Sequence, residues 1–368
     1  MIAPVWQNLA VLAAVAGASW LLRIASTRED WRSAWRQLTS NRIAMASLAV
    51  IALYVTVGLL DCVAWRDRAL DAGGKPLSDP AGRPILETRP LSVLDRLCTP
   101  LRTRTEKTYS APLSAVQFTR EAVVRADGSR GRDYPRLAWP RRLLLGTDRV
   151  GNDVFFMALK GTRTALLIGG LATLIVLPLA IVFGLSAGYY GKRIDDAIQY
   201  TYTTLSSIPD VLLIAAFILI FGRGLPQLCI ILGITSWTGL CRLLRGEALK
   251  LRELDYVTAA RALGSSDLTI LARHLLPNVM HIVLISFVLR FSDLVLTEAI
   301  LSYLGIGVDP ATGSWGHMIN AARQELTRDP AVWWNLAAAF TFMLGLVLPV
   351  NLFGDALRDA LDPRLKTR

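Results

Sequence analysis

The sequence predicts an all-α, multi-pass membrane protein. Of its 368 residues 53% are apolar and only 19% charged, where soluble domains carry about 25% charge. Its mean hydropathy is +0.41. The apolar residues fall into several runs of roughly 17–25 residues, the length that crosses a bilayer. This distribution excludes an ordinary soluble enzyme, a disordered or collagen-like chain and a disulfide-stapled scaffold. The four cysteines, Cys62, Cys98, Cys229 and Cys241, form no CxxC, and two sit inside apolar runs, where Cys acts as a small hydrophobe.

Taken in order, residues 1–24 form an extra N-terminal transmembrane helix. Its first basic residue, Arg23, follows the run, which is the wrong order for a cleaved signal peptide. Residues 25–42 are basic and carry Trp31 and Trp35 four apart on one helix face; they suit a helix at the cytoplasmic interface, or a charged linker. Residues 43–63 are a second span. Residues 64–145 abandon hydrophobicity, carry 16 Lys/Arg against nine Asp/Glu and are punctuated by prolines, which predicts a hydrophilic insert with a short helix near 91–101. Residues 146–354 hold five more spans, near 164–188, 205–222, 225–243, 279–304 and 332–352. Pro178 lies inside the third span of the chain; neighbouring helices can satisfy the carbonyl it frees. Residues 355–368 are a basic tail.

Charge asymmetry sets the expected orientation. Placing segments 23–42, 188–197, 242–276 and 355–368 on the cytoplasmic side collects 17 basic residues, against Arg223, Arg323 and Arg328 in the short opposite loops. The N-terminus and the insert then lie outside and the C-terminus inside. The basic surplus sits beside membrane spans without a zinc or helix-turn-helix pattern, so nucleic acid is not an expected partner; the lipid bilayer is. No P-loop, HExxH or Ser/His/Asp arrangement occurs, and His274, His281 and His317 lack partners at metal-ligand spacing. The sequence proposes neither a catalytic residue nor a metal site.

The segment 244–277, LRGEALKLRELDYVTAARALGSSDLTILARHLLP, is polar yet rich in good helix formers. Tyr256, Ala259, Ala260 and Leu263 fall at i, i+3, i+4 and i+7 on one face. Gly264 suits a C-terminal cap, and Ser265, Ser266 and Asp267 can begin another helix before Pro277 opens the next span. So small a mixed face buries little alone. It either enters a partner's groove or packs on its own bundle.

Residues 255–278 resemble the "EAA loop" of ABC importer permeases, through Ala259, Ala260, Gly264, Leu276 and Pro277, with Thr258 where the family has Glu. LGTDRVGNDVFFMALKGTRTALLIG, from Leu145, is similar to the opening of the permease domain in the oligopeptide/dipeptide/nickel group, through Gly146, Thr147, Asp148, Gly151, Asp153, Gly161 and Arg163. Asn152 and Met157 stand where Arg is common there. SIPDVLLIAAFILIFG, EAILSYLGIGVDPATGSWGHMI and VNLFGDALRDALDPRL look like its C-type subunit. The likeness spans residues 28–62 and 143–368.

That resemblance implies a type I ABC importer permease fold with a six-helix core; the extra N-terminal span and the extracytoplasmic insert between the first two core spans depart from the smaller members of the group. It implies a multi-pass subunit of the bacterial cytoplasmic (inner) membrane that transports peptides or peptide-like solutes. Its implied partners are a homologous B-type permease, two ABC ATPase subunits that carry ATP and Mg, and an extracytoplasmic solute-binding protein. The residues expected to couple to the ATPase are Tyr256, Thr258, Ala259, Ala260, Arg261, Leu263, Gly264 and Pro277. The charged residues Arg290, Asp293 and Glu298, inside a span and within about 140° of one another at ~100° per residue, are expected to line the path. The alternative is local pairing of Arg290 with Asp293. A secondary transporter leaves the 244–277 segment unexplained, and a membrane-embedded enzyme lacks its acid–base residues.

Overall fold

A computed structural model describes residues 8, 29–67, 85, 90–124 and 130–361. The expected first span, Asn8 apart, and the last residues of the basic tail lie outside the described residues.

In hydrocarbon a backbone must satisfy its own hydrogen bonds, so the apolar runs become helices. Helix α1 (Glu29–Ser40) occupies the interfacial segment. It leaves Trp35 52% exposed and buries Leu38 against Ala44 and Ala360. Asn41 then accepts from the amides of Ile43 and Ala44 (3.0 and 3.2 Å) and caps α2 (Arg42–Cys62). Beyond it, β1 (Ala64–Trp65) pairs antiparallel with β2 (Leu91–Ser92), followed by α3 (Val93–Leu97) and α4 (Thr99–Thr103). The expected helix near 91–101 is thus two short ones divided at Cys98; Ser92 starts the first through a capping box and Pro100 stands in the first turn of the second. A second hairpin, β3 (Glu121–Val124) with β4 (Arg130–Asp133), completes the insert.

Helix α5 (Val154–Tyr190) runs unbroken through Pro178 and begins ten residues before its apolar run. Then come α6 (Lys192–Ser206), α7 (Asp210–Phe221), α8 (Leu225–Thr235), α9 (Thr238–Leu251), α10 (Asp255–Ala262) and α11 (Asp267–Ile270). A π-turn (Leu271–Leu275) leads into α12 (Leu276–Tyr303), followed by α13 (Trp315–Glu325) and α14 (Trp334–Leu361). Among the described residues five helical stretches are long and apolar enough to cross a membrane, with α8–α9 and α11–α12 each counted as one. The count rises to six if the bent pair α6 and α7, which meet at 86°, is one span. The sequence places a single span at 205–222; in the structure α7 alone is about 18 Å long, short of a bilayer core of about 30 Å. Pro209 explains the break, since it disfavours helix at Ile208 and cannot donate a helical hydrogen bond.

The described residues divide into two compact units. One gathers 50–163 with 313–344; the other gathers 34–49, 164–312 and 345–361. The segments read from hydropathy are drawn differently, because hydropathy marks the solvent a residue prefers and not the residues it packs against. The core of the second unit joins α5, α9, α10, α11 and α12 through Tyr189, Leu244, Val257, Ile270, Val279 and Val283. There α5 and α9 nearly touch: a Cβ on Gly188 would lie 2.5 Å from that of Ala248.

Candidate functional site

Two sequence motifs become two local structures, one in each unit. In the first unit the GTDRVGND motif is a turn that launches α5. Asp148 Oδ1 accepts from the amides of Val150 and Asn152, both at 2.8 Å. Thr147 Oγ1 accepts from Ser110 N at 2.8 Å. Asp153 caps α5, accepting from Phe155 and Phe156 (2.8 and 3.2 Å). Burial pushes the Asp153 carboxyl up, against those two amides. Asn152 donates to Asp148 Oδ2 at 3.1 Å, so a neutral amide rests on that carboxylate. Further along, the indole of Trp315 lies against Gly161 and donates to Ala158 O at 2.8 Å.

A buried ionic cluster near this turn has no signature in the sequence. Lys160 Nζ meets Asp61 Oδ1 at 2.6 Å and Asp95 Oδ1 at 3.0 Å, and Ser92 Oγ donates to Asp61 at 2.7 Å. Asp61 is 1% exposed. For Asp95, burial opposes ionisation, but the Ser92 amide and the Lys160 ammonium outweigh it and hold the carboxyl below its usual range.

In the second unit the 244–277 segment folds as the end of α9, a turn, α10, α11, the π-turn and the start of α12. Helix α10 ends in a full Schellman motif: Ser265 N donates to Ala260 O (3.1 Å) and Gly264 N to Arg261 O (3.0 Å), with Gly264 at φ +81°. The four-residue apolar face divides. Ala260 joins Val257 in the core, whereas Tyr256, Ala259 and Leu263 face out, Leu263 at 86% exposure. Thr258, also exposed, donates to Asp255 O at 2.9 Å. Pro277 stands in the first turn of α12, where its missing N–H costs nothing.

Polar contacts fasten this loop. Arg252 Nη1 donates to Gly188 O at 3.1 Å. The Arg261 guanidinium lies 5.1 Å from the Tyr189 ring centre, and Tyr189 OH donates to Asp267 Oδ1 at 2.7 Å. Asn278 Nδ2 donates to Tyr256 OH at 3.1 Å. One helix further, Arg245 grips Asp195 with both Nε and Nη2 (2.6 and 2.7 Å).

The three charged residues of α12 have unlike surroundings. Asp293 is exposed; Arg290 reaches it only at 3.9 Å and lies over Gly239. Glu298 is 1% exposed and accepts from Ser302 Oγ at 2.7 Å. The angular range that the sequence allows thus holds one exposed, one half-buried and one buried group.

Comparison with known proteins gives this geometry its class. Residues 180–367 match the family described as binding-protein-dependent transport system inner membrane component, and residues 30–66 match the N-terminal TM domain of oligopeptide transport permease C. The chain belongs to that family: it is a multi-pass, inner-membrane permease subunit of an ABC importer. The glutathione transport system permease protein GsiD of Pectobacterium atrosepticum is 36% identical over 264 residues, covering 69% of this chain and 84% of that protein. The di/tripeptide transport system permease protein DppC of Pseudomonas aeruginosa is 38% identical over 225 residues, covering 61% and 73%. The oligopeptide transport system permease protein OppC of Bacillus subtilis is 34% identical over 221 residues, covering 60% and 72%. Among solved structures, a chain of the inward-facing MetNI methionine ABC transporter aligns with a TM-score of 0.45 at 18% identity, covering 56% of this chain and 97% of that one.

Proposed function

We infer that this chain forms half of the path by which peptides or peptide-like solutes enter the cell, and that α10 couples it to ATP hydrolysis. The other half of the path belongs to a homologous B-type permease. ATP and Mg²⁺ bind two ATPase subunits, and an extracytoplasmic binding protein delivers the solute. The names of the relatives support the peptide class. The observation that carries the coupling role is the outer side of α10, where Tyr256, Ala259 and Leu263 stand exposed on a helix whose far side is packed. A short helix with an uncovered apolar edge suits a groove on a partner. When the ATPases close on ATP, α10 is carried with them and the packed spans rock between two arrangements.

Within the path, Asp293 is the charged group of α12 open to a passing solute, with Arg290 beside it and Glu298 buried against Ser302. The insert offers a basic, aromatic surface for the binding protein: Trp139, 37% exposed, has the guanidiniums of Arg104 and Arg142 at 5.5 and 5.9 Å.

Co-purification tests the coupling role. Ala259→Arg with Leu263→Asp changes only exposed positions, so the chain should reach the membrane in normal amount while losing its ATPase subunits. ATPase recovered at the wild-type ratio would overturn the assignment. Ala260→Glu is the poorer probe, since Ala260 is buried.

A further inference from the structure

We propose that Tyr189 is the positioning residue through which α10 moves α5, by locking both ends of the α10–α11 turn onto the last helical turn of α5. The proposal rests on the reading of α10 as the coupling helix.

Helix α10 is held weakly by its own side chains. It gives the core Val257 and Ala260 only. Burying one Val and one Ala removes too little apolar surface from water to make an eight-residue helix move as one body with its neighbours. What fixes α10 must therefore come from outside it. The end of α5 supplies this. Tyr189 is 4% exposed in the core between α5 and α10. Its hydroxyl reaches Asp267, in the first turn of α11, and its ring carries Arg261, in the last turn of α10. The preceding residue, Gly188, accepts from Arg252 just before α10. One turn of α5 thus holds the chain before α10, the end of α10 and the start of α11. Tyr256, at the other end, answers to Asn278 on α12.

Each contact is directional, which area burial is not. The phenol fixes Asp267 by a hydrogen bond and Arg261 by its ring, so the opposite charges of Arg261 and Asp267 are held by one rigid side chain. A push on α10 then displaces α5 without first rotating about Val257. Removing the hydroxyl should leave the core packed and the turn free to pivot.

The test uses the assembled transporter, this chain with its partner permease, ATPase subunits and binding protein, in nanodiscs. With Cys62, Cys98, Cys229 and Cys241 replaced by Ala, a single cysteine is placed at Leu174, an exposed residue of α5, and its rate of reaction with a maleimide is compared between nucleotide-free and ATP/vanadate-trapped complexes. The expectation is a nucleotide-dependent change on the order of fivefold or more for the parent. It should shrink to less than about twofold in Tyr189→Phe and in Asp267→Ala, with the double variant no worse than either. ATPase subunits should co-purify at the parental ratio in all three, and Tyr200→Phe, an exposed tyrosine of α6, should respond like the parent. A parental change preserved in Tyr189→Phe overturns the proposal, as does strict additivity in the double variant or a parent that shows no change. Loss of the ATPase from Tyr189→Phe also overturns it, because Tyr189 would then serve docking and not transmission. The underlying reading fails separately, when Ala259→Arg with Leu263→Asp keeps the ATPase.

Discussion

At the scale of single residues, what is missing from a side chain matters as much as what is present. A Cβ on Gly161 would lie 2.5 Å from Trp315 Cδ1, whereas one on Gly170, further along the same helix, would meet nothing within 4 Å. Gly161→Val should cost about 1–3 kcal/mol through overpacking. Gly170→Ala should be neutral or stabilising by up to about 1 kcal/mol, as helix propensity alone dictates. Thermal unfolding of the purified protein, followed by tryptophan emission, separates the two. The ionic cluster gives a second contrast. Lys160→Met leaves Asp61 and Asp95 buried without their cation and should destabilise by about 3–5 kcal/mol, and adding Asp61→Asn and Asp95→Asn should recover part of that loss. The sign with pH follows from Asp95, whose carboxyl is held below its usual range by the Ser92 amide and Lys160 against burial. Its contribution is complete above the ordinary carboxylate value of about 4 and is lost as pH falls through the lower folded value. Acid titration of Asp95→Asn should therefore lack a step below about pH 4 that the parent shows. An identical acid profile would remove Asp95 from that step.

At the scale of elements, the bend between α6 and α7 and the split face of α10 show what sequence reading reaches. Gly264 followed by Ser265 signals a helix end, because that constraint is local to the backbone, whereas the bend at Pro209 escapes hydropathy, since a proline near the start of an apolar run leaves the run intact. Tyr256, Ala259, Ala260 and Leu263 share a face by periodicity, yet the structure turns Val257 inward instead of Tyr256. Periodicity orders residues around a helix but does not say which side the neighbouring helices occupy. Longer-range pairings were beyond its reach: nothing in the spacing links Lys160 to Asp61, 99 residues away, or Trp315 to Ala158, 157 away. Nor could it show that the GTDRVGND motif is a capped turn built on Asp148 and Asp153. The bend is testable by itself. Pro209→Ala restores a donor and relaxes Ile208, so labels at Gln199 and Phe217 should move apart from their separation across the 86° bend, as read by spin-label distances. Unchanged distances would show that packing, not Pro209, sets the angle.

At the scale of the whole molecule, the proposed function assigns two surfaces to partners. The outer edge of α10 suits one, and the Arg104–Trp139–Arg142 cluster of the insert suits the other. Arg104→Glu with Arg142→Glu should weaken capture of the binding protein several-fold at low salt and flatten the dependence of that affinity on ionic strength, measured by surface plasmon resonance. Affinity and salt dependence equal to the parent's would take the insert out of that role. Asp293→Asn should slow uptake of a radiolabelled tripeptide while ATPase co-purification stays intact. Glu298→Gln, which keeps an acceptor for Ser302, should change uptake less.

The bent pair has one more consequence, and it concerns the lipid. Helix α7 ends in Leu219, Ile220 and Phe221, at 83%, 74% and 61% exposure, and is followed after Gly222 by the exposed Arg223. Three uncovered apolar side chains demand hydrocarbon, and a guanidinium two residues later demands headgroups or water. The α7–α8 tip therefore fixes a depth. With α7 only about 18 Å long, the surrounding leaflet must thin, or the tip must ride up, whenever the bilayer thickens.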